Sequence, residues 1–429
     1  MSGHAPTDAT TDTSAPSPPE LVCLGESMVA FLPSRPGSLA DVPSFARAIG
    51  GAESNVACAL ATAGHRVKWV GRVGRDGFGR HLVETIGAYG VDVTAVGHDP
   101  HRPTGVYFRT DEDRATEAHE VVYYRAGSAA SAMSPETVPY DTVAGARILH
   151  LTGITAALST DCLALVRELT APRPGRPLVS FDVNYRPGLW RDGDAPDVLL
   201  ALARRADLVF VGEDEAEALW GLREPGAIRA AVPEPAVLVV KRGGGGAVVS
   251  ERCAASFPTP PLPEPGALPP DPRASNAGGA EFRPLDPDAS RAGGAEFRAL
   301  DPDPSSAGGA GFRSLDPDAS SAGAAELPCP VPDTVTSVPA PRVDVVSAVG
   351  AGDAFAAGFL SATLRGLPMR ARIRHGHLMA AAALTVPGDV AVPPRRAHAD
   401  RLAALDARAW ETLHLGPGWT GDDQEVRTP

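Results

Sequence analysis

The chain contains no run of the roughly 18 to 20 consecutive apolar residues that a membrane-spanning helix needs; the apolar stretch 379–386 has only the length of a core helix. It has no basic surplus either. Its 39 Lys and Arg are outnumbered by 52 Asp and Glu, a formal charge of -13, which argues against the basic face of a nucleic-acid-binding protein. An anionic substrate would therefore have to be met by local arginines. The five cysteines, Cys23, Cys58, Cys162, Cys253 and Cys329, are odd in number, far apart and without Cys-x-x-Cys spacing, which suits a reducing cytosol better than a disulfide framework. The first twenty residues lack the basic start and apolar stretch of a secretion signal and read as a disordered tail. No Gly-x-x-x-x-Gly-Lys-Ser/Thr occurs, so an ordinary P-loop is ruled out. A soluble, cytoplasmic protein that binds neither nucleic acid nor membrane is expected.

Glycine and proline, in contrast, are abundant. The 45 Gly and 43 Pro exceed what a compact fold needs, and many fall in one segment, 258–333. There Ala277-Gly-Gly-Ala-Glu-Phe-Arg-Pro-Leu-Asp-Pro-Asp recurs from Ala292 and, with Gly311 in place of Glu, from Ala307. Each copy offers one Phe and one Leu, too little apolar surface to offset the entropy of ordering it. The segment reads as a disordered surface insertion, with a partner-binding repeat as the alternative.

Elsewhere short apolar runs alternate with helical patterns. Strands are expected at Leu21–Leu24, Val67–Val70, Ile148–Leu151, Leu178–Phe181, Leu208–Val211 and Val237–Val240. Helices are expected at Asn55–Ala63, Phe78–Tyr89, Asp161–Leu169, Val198–Arg204 and Asp214–Trp220. This predicts an α/β fold, a doubly wound, mostly parallel sheet whose ligands bind at the carboxyl ends of the strands. The β-rich segments Gly105–Arg109 and Glu120–Tyr124 suggest a protruding hairpin. With Met28–Leu32 they form either a small β lid, segments near 28–33 and 104–125, or an edge extension of the main sheet. The main domain then comprises 21–257 and 334–410, and 411–429 reads as a C-terminal tail.

Three glycine-rich elements carry chemistry. Gly350-Ala351-Gly352-Asp353 follows the β-rich run Val343–Val346 and opens a helix reaching about Arg365. Gly350 and Gly352 let backbone N–H groups approach a phosphate, and the first helical turn adds unpaired donors and the positive dipole end. Asp353 has two roles open to it: a base that takes a proton from a substrate hydroxyl, or a simple helix cap. Gly50-Gly51-Ala52-Glu53-Ser54-Asn55 enters a second helix, where Asn55 can serve sugar hydroxyls or cap the helix. Lys241-Arg242-Gly243-Gly244-Gly245-Gly246-Ala247 follows a strand and is either a nucleotide-approach loop or a hairpin turn.

Taken in order with Val70-Gly71-Arg72-Val73-Gly74-Arg75-Asp76-Gly77-Phe78-Gly79, these elements resemble the ribokinase-like carbohydrate kinases. Tyr123-Tyr124-Arg125-Ala126-Gly127-Ser128, Leu149-His150-Leu151-Thr152-Gly153-Ile154 and Asp182-Val183-Asn184-Tyr185-Arg186 are more narrowly similar to 2-keto-3-deoxygluconate kinases. The likeness runs from Leu21 to about Val392, the insertion excepted. It implies transfer of the γ-phosphoryl group of ATP, with Mg²⁺, to the terminal hydroxyl of the sugar acid. It implies sugar contacts at Gly51, Ala52, Glu53, Ser54, Asn55, Tyr107, Tyr123, Tyr124, Arg125, Arg186 and Asp353. It implies a nucleotide site lined by Asn184, Tyr185, Arg186, Gly212, Lys241 to Ala247, Gly350, Ala351, Gly352, Asp353 and His377, with Glu215 orienting Mg²⁺ through water. Arg125 and Arg186 suit a carboxylate-bearing substrate, and an apolar face on the lid hairpin suits pairing with a second subunit. Three positions depart from the family pattern: Ser347 where an Asp is usual, Gly212 where Asn or Ser is usual, and His377 where Asn is frequent.

Overall fold

The computed structural model describes residues 18–110, 120–190, 193–252 and 333–421. Most of the N-terminal stretch 1–20 and nearly all of 258–333 lie outside the described residues. β1 (Leu21–Leu24) is apolar and buried at every position, as a strand covered on both faces must be. β2 (Met28–Pro33) and β3 (Phe45–Gly50) form an antiparallel pair, and the helix Ala52–Thr62 leads back to β4 (Val67–Val70), parallel to β1. Short β5 (Arg72–Gly74) and β6 (Gly97–Asp99) pair with each other, with the helix Gly77–Ala88 between them in sequence. β7 (Val106–Arg109) and β8 (Val121–Tyr124) make the expected hairpin. β9 (Ile148–Thr152), β10 (Leu178–Asp182), β11 (Leu208–Gly212) and β12 (Val237–Lys241) are parallel, β13 (Ala247–Glu251) is antiparallel to β12, and β14 (Thr334–Val338) is antiparallel to β13.

The main sheet has the order β14-β13-β12-β11-β10-β9-β1-β4. Alternate residues serve opposite faces. Leu21 and Cys23 join a core under the helices Ala52–Thr62, Ala351–Leu364 and Met369–Leu384, whereas Val22 and Leu24 join one under Thr160–Leu169 and Ala195–Arg205. This is the doubly wound architecture that the alternating pattern predicts.

The lid is a separate sheet, β3-β2-β7-β8, rather than an edge extension. Register places Phe31 opposite Phe108, and their rings stack at 4.6 Å on one face. Met28, Ala30 and Tyr107 gather on the other. β3 has no counterpart among the expected strands, because its residues Phe-Ala-Arg-Ala-Ile-Gly carry little β-branched character.

Two expectations at the carboxyl end are corrected. Of the run Val343–Val346 only Val343 belongs to a strand: β15 (Arg342–Val343) lies parallel to β16 (His414–Leu415), and the N–H groups of Val346 and Ser347 donate to Leu384 O at the end of a helix. The segment 411–421, expected in the tail, is docked, since Leu413, Leu415 and Trp419 are buried.

The insertion joins β13 to β14, and its flanking residues Glu251 and Thr334 are register partners. β13 runs away from the carboxyl ends of the parallel strands, so the chain departs about 13 Å from the glycine turn at Lys241–Ala247, four strand steps along. Replacing 254–332 by a short turn is therefore expected to leave kcat/KM within about twofold and to change stability little, because loop length costs little free energy; steady-state kinetics and a thermal melt check both.

Candidate active site

Gly350 stands at the carboxyl edge of this sheet with φ 78°, and a Cβ there would fall 2.3 Å from the carbonyl oxygen of Asp389. Only glycine fits both demands. Asp353 lies in the first turn of the helix it opens, yet makes no cap bond. Its Oδ2 accepts from Asn55 Nδ2 at 2.9 Å and its Oδ1 from Asn184 Nδ2 at 3.5 Å. Asn184 is itself held at φ 39°, the one non-glycine residue with positive φ among the described residues. Both amide oxygens, Asn55 Oδ1 and Asn184 Oδ1, are buried without a partner. Burial lifts the Asp353 carboxyl to about 7; the Asn55 hydrogen bond, Lys241 and Arg186 pull it down and Asp182 pushes it up. The result is a carboxylate with near-neutral basicity, flanked by two unpaired acceptors and adjoining a turn of free N–H groups.

Within Gly51–Asn55 the side chains divide. Asn55 reaches Asp353, but Ser54 turns to Ser27 Oγ and Gly51 O, and Ala52 is packed away. Glu53, expected at the sugar, is fully buried under Gly25, where its Oε1 accepts from Thr152 Oγ1 at 2.9 Å and Thr155 Oγ1 at 2.6 Å. A helix turns successive side chains by about 100°, so neighbours of Asn55 face the sheet. Burial pushes Glu53 up to about 7, the threonine hydroxyls opposing. A carboxyl raised in the folded state adds stability below its unfolded value near 4.5 and loses it as pH rises through about 7. Glu53→Gln is thus expected to gain stability on the wild type between pH 5 and 8, by up to about 3 kcal/mol, as read by paired denaturant titrations.

The lid supplies the second wall. Tyr107 donates to Asp389 Oδ2 at 2.7 Å and Arg109 Nη2 to Asp389 Oδ1 at 3.2 Å. Gly50 makes room for this, since a Cβ there would lie 2.1 Å from the Tyr107 hydroxyl. Tyr123 lies on Tyr107 with ring centroids 5.5 Å apart and half exposed, and Tyr124 points outward. Arg125 sits over the Tyr123 ring but already pairs with the buried carboxylate of Glu26, which also accepts from Ser128. Arg125 is therefore not the unpaired cation that a solvated arginine would be, although its Nε remains without a partner.

At the other rim, Gly243–Gly245 make the hairpin turn between β12 and β13, with positive φ at Gly243 and Gly246. It is thus a hairpin and a rim of the cleft at once. Arg242 is exposed toward Glu213, and Ala247 is buried in β13. Lys241 is bound to Asp182 by 3.0 and 2.9 Å contacts. Glu215 accepts from the N–H groups of Tyr185 at 2.9 Å and Gly212 at 2.6 Å, tying the ends of β10 and β11 together. Arg186 projects with its side chain 53% exposed, 3.9 Å from Glu215. His377, expected beside the nucleotide, is enclosed: its Nε2 is 3.2 Å from Val338 O and its ring abuts Phe355 and Trp410. Burial lowers it to about 4. Asp389, Glu26 and Asp182, to which the sequence motifs assign no role, hold Tyr107, Arg125 and Lys241 in place, and Arg109 braces Asp389.

The sequence profile of the family described as pfkB family carbohydrate kinase matches residues 18–265 and 324–396. The chain belongs to that family. It is accordingly a phosphotransferase with an alcohol group as acceptor. It is 36% identical over 240 residues to the 2-dehydro-3-deoxygluconokinase of Thermoproteus tenax, covering 53% of this chain and 71% of that one. It is 36% identical over 212 residues to the protein of the same name from Bacillus subtilis (strain 168), covering 49% and 65%. It is 31% identical over 206 residues to the probable fructokinase-6 of Arabidopsis thaliana, covering 48% and 53%. Among solved structures, a PfkB protein from Polaromonas sp. JS666 is 27% identical with TM-score 0.63, covering 89% of this chain and 99% of that one. An uncharacterized Pyrococcus horikoshii sugar kinase in complex with ATP, 20% identical with TM-score 0.62 over 88% and 96%, shares the fold of this carbohydrate kinase.

Proposed function

We propose that this carbohydrate kinase transfers the γ-phosphoryl group of ATP to the terminal hydroxyl of 2-keto-3-deoxygluconate, giving the 6-phosphate and ADP. The observation that carries the chemistry is the carboxylate of Asp353, held between Asn55 and Asn184 at a glycine-opened helix start. The substrate hydroxyl gives its proton to Asp353 as its oxygen bonds to phosphorus and the bond to the ADP oxygen breaks. The N–H groups of Gly350 to Gly352 and the helix dipole meet the charge on the transferring group. The unpaired amide oxygens of Asn55 and Asn184 suit neighbouring hydroxyl donors, as a polyol chain provides.

For the nucleotide's metal, no three His, Cys, Asp or Glu side chains gather among the described residues. Glu215 keeps free lone pairs on carboxylate oxygens that two N–H groups hold in place. Such a donor set fits a magnesium ion carried in on phosphates, with Glu215 reaching it through water. When bound, that ion would neutralise phosphate charge.

The choice of a sugar acid is supported by the two 2-dehydro-3-deoxygluconokinase relatives and by two cationic groups, Arg125 beside the lid with its free Nε and exposed Arg186 at the other rim. The fructokinase relative supports a neutral hexose as the second reading. An ADP-release screen over keto-deoxy sugar acids, hexoses and pentoses separates them. The expected result is a preference for the keto-deoxy acid that shrinks about tenfold or more in Arg125→Ala; a preference untouched by that change would sink the role given to Arg125.

A further inference from the structure

Asp182 and Lys241 close strands that are not neighbours. β11 runs between them: Phe210 is the register partner of Asp182, and Gly212, two residues on, is that of Lys241. Paired positions of parallel strands share a face, so all four lie on one side of the sheet. The two backbones are about 10 Å apart. The lysine stem spans this distance, with glycine at the intervening strand end, and Nζ contacts both carboxylate oxygens of Asp182 at 3.0 and 2.9 Å. The Asp182 side chain is 2% exposed and that of Lys241 19%. As a stability device alone such a pair is poor, because apolar side chains of similar size do at least as well. Its position supplies a different reason: a Cβ on Gly352 would lie 3.8 Å from Nζ. The ammonium thus stands against the first turn of the helix whose N–H groups form the anion site.

We propose that Lys241 is the side-chain cation that meets the transferring phosphoryl group, and that Asp182 is the positioning residue that holds it at the Gly350–Gly352 turn. The proposal rests on the nucleotide-dependent kinase assignment above. An ammonium has three donors, so one remains for a phosphoryl oxygen while the others stay on Asp182. As the sugar oxygen bonds to phosphorus, gives its proton to Asp353 and displaces the ADP oxygen, Lys241 stays protonated and offsets the charge. Burial alone would lower Lys241, but Asp182, Glu215 and Asp353 hold it above its usual range. The charged groups facing Asp353 are Asp182 on β10, Arg186 in the turn after it and Lys241 on β12, with neutral Asn55 on the Ala52–Thr62 helix. Removing Asp182 therefore lowers the pH at which Asp353 titrates, and removing Lys241 raises it.

The test uses the full chain with Lys241→Met, Lys241→Arg and Asp182→Asn. Calorimetry measures magnesium-ATP and magnesium-ADP binding without sugar, and ADP release is followed across pH. Lys241→Met is expected to lose about tenfold or more of the preference for ATP over ADP and about 100-fold in kcat, with the sugar KM little changed. Lys241→Arg should recover part of both. The acid limb of the rate profile should move down by about one pH unit in Asp182→Asn and up by about as much in Lys241→Met. Wild-type nucleotide preference in Lys241→Met with an unmoved limb in Asp182→Asn overturns the proposal and leaves the kinase assignment standing. A wild type that binds no nucleotide overturns both. Where Lys241→Met does not fold, Lys241→Arg and Asp182→Asn decide by the same two readouts.

Discussion

Asparagine in place of Asp353 is expected to lower kcat by about a thousandfold, within the range that a general base contributes, while the sugar KM changes much less. Asn keeps the shape and can still accept from Asn55, so lost binding is a small part of the effect. The wild-type rate should rise with pH and level off above about 7, where burial has placed the Asp353 carboxyl; in Asp353→Asn that limb disappears. Stability moves the other way. A carboxyl raised in the folded state stabilises below its unfolded value near 3.8, and that contribution is lost as pH rises through about 7. At pH 8 the wild type carries a buried charge that the amide removes, so Asp353→Asn should melt higher there. A residue that only capped the helix would show the reverse, a lower melting point and unchanged turnover, and Asp353 has no cap bond to lose.

Much of the fold was legible because the strands are buried on both faces. Leu21–Leu24 and Val67–Val70 are strands with those bounds. The other four parallel strands each extend one residue past the apolar run, to Thr152, Asp182, Gly212 and Lys241. Those residues are polar or glycine because they sit where the sheet meets the cleft, and a hydrophobic criterion stops short of them. Three of them belong to the site: Asp182 with Lys241, and Gly212 with Glu215.

Local motifs were legible for a related reason. Gly350 needs a positive φ and Asp353 needs the helix start, and both demands are written within four residues. What could not be read is pairing across distance. Asp389 follows a Pro-Gly turn with no pattern of its own, yet it is the acceptor for Tyr107 and Arg109, some 280 residues earlier. Arg125 reads as a free cation until Glu26 is found beside it. Glu53 looks like its neighbour Asn55 in sequence, and only the direction of the helix separates a core carboxylate from a site amide.

Alanine at Gly350 and alanine at Gly352 are expected to fail in different ways. At Gly350 the methyl group would lie 2.3 Å from Asp389 O, a backbone atom, and the φ of 78° is strained for any L side chain. The 387–391 segment must shift, and with it the Asp389 carboxylate that receives Tyr107 and Arg109 from the lid. A stability loss of about 2 to 4 kcal/mol is expected, from the strained φ together with disruption of the buried Asp389 contacts. Activity should fall at least about 100-fold, since both the anion turn and the lid contact move. At Gly352 the nearest neighbour of an added Cβ is Lys241 Nζ at 3.8 Å, so the fold accepts the methyl group. Under the proposed function that Cβ would stand between the turn and Lys241, where the phosphate would be held. Gly352→Ala should therefore melt within about 1 kcal/mol of the wild type, as an accommodated substitution does, and yet lose nucleotide-dependent turnover. A Gly352→Ala protein with normal kcat and ATP KM would show that phosphate does not enter over this turn, whereas matching stability losses in both variants would show that the two glycines share one structural role.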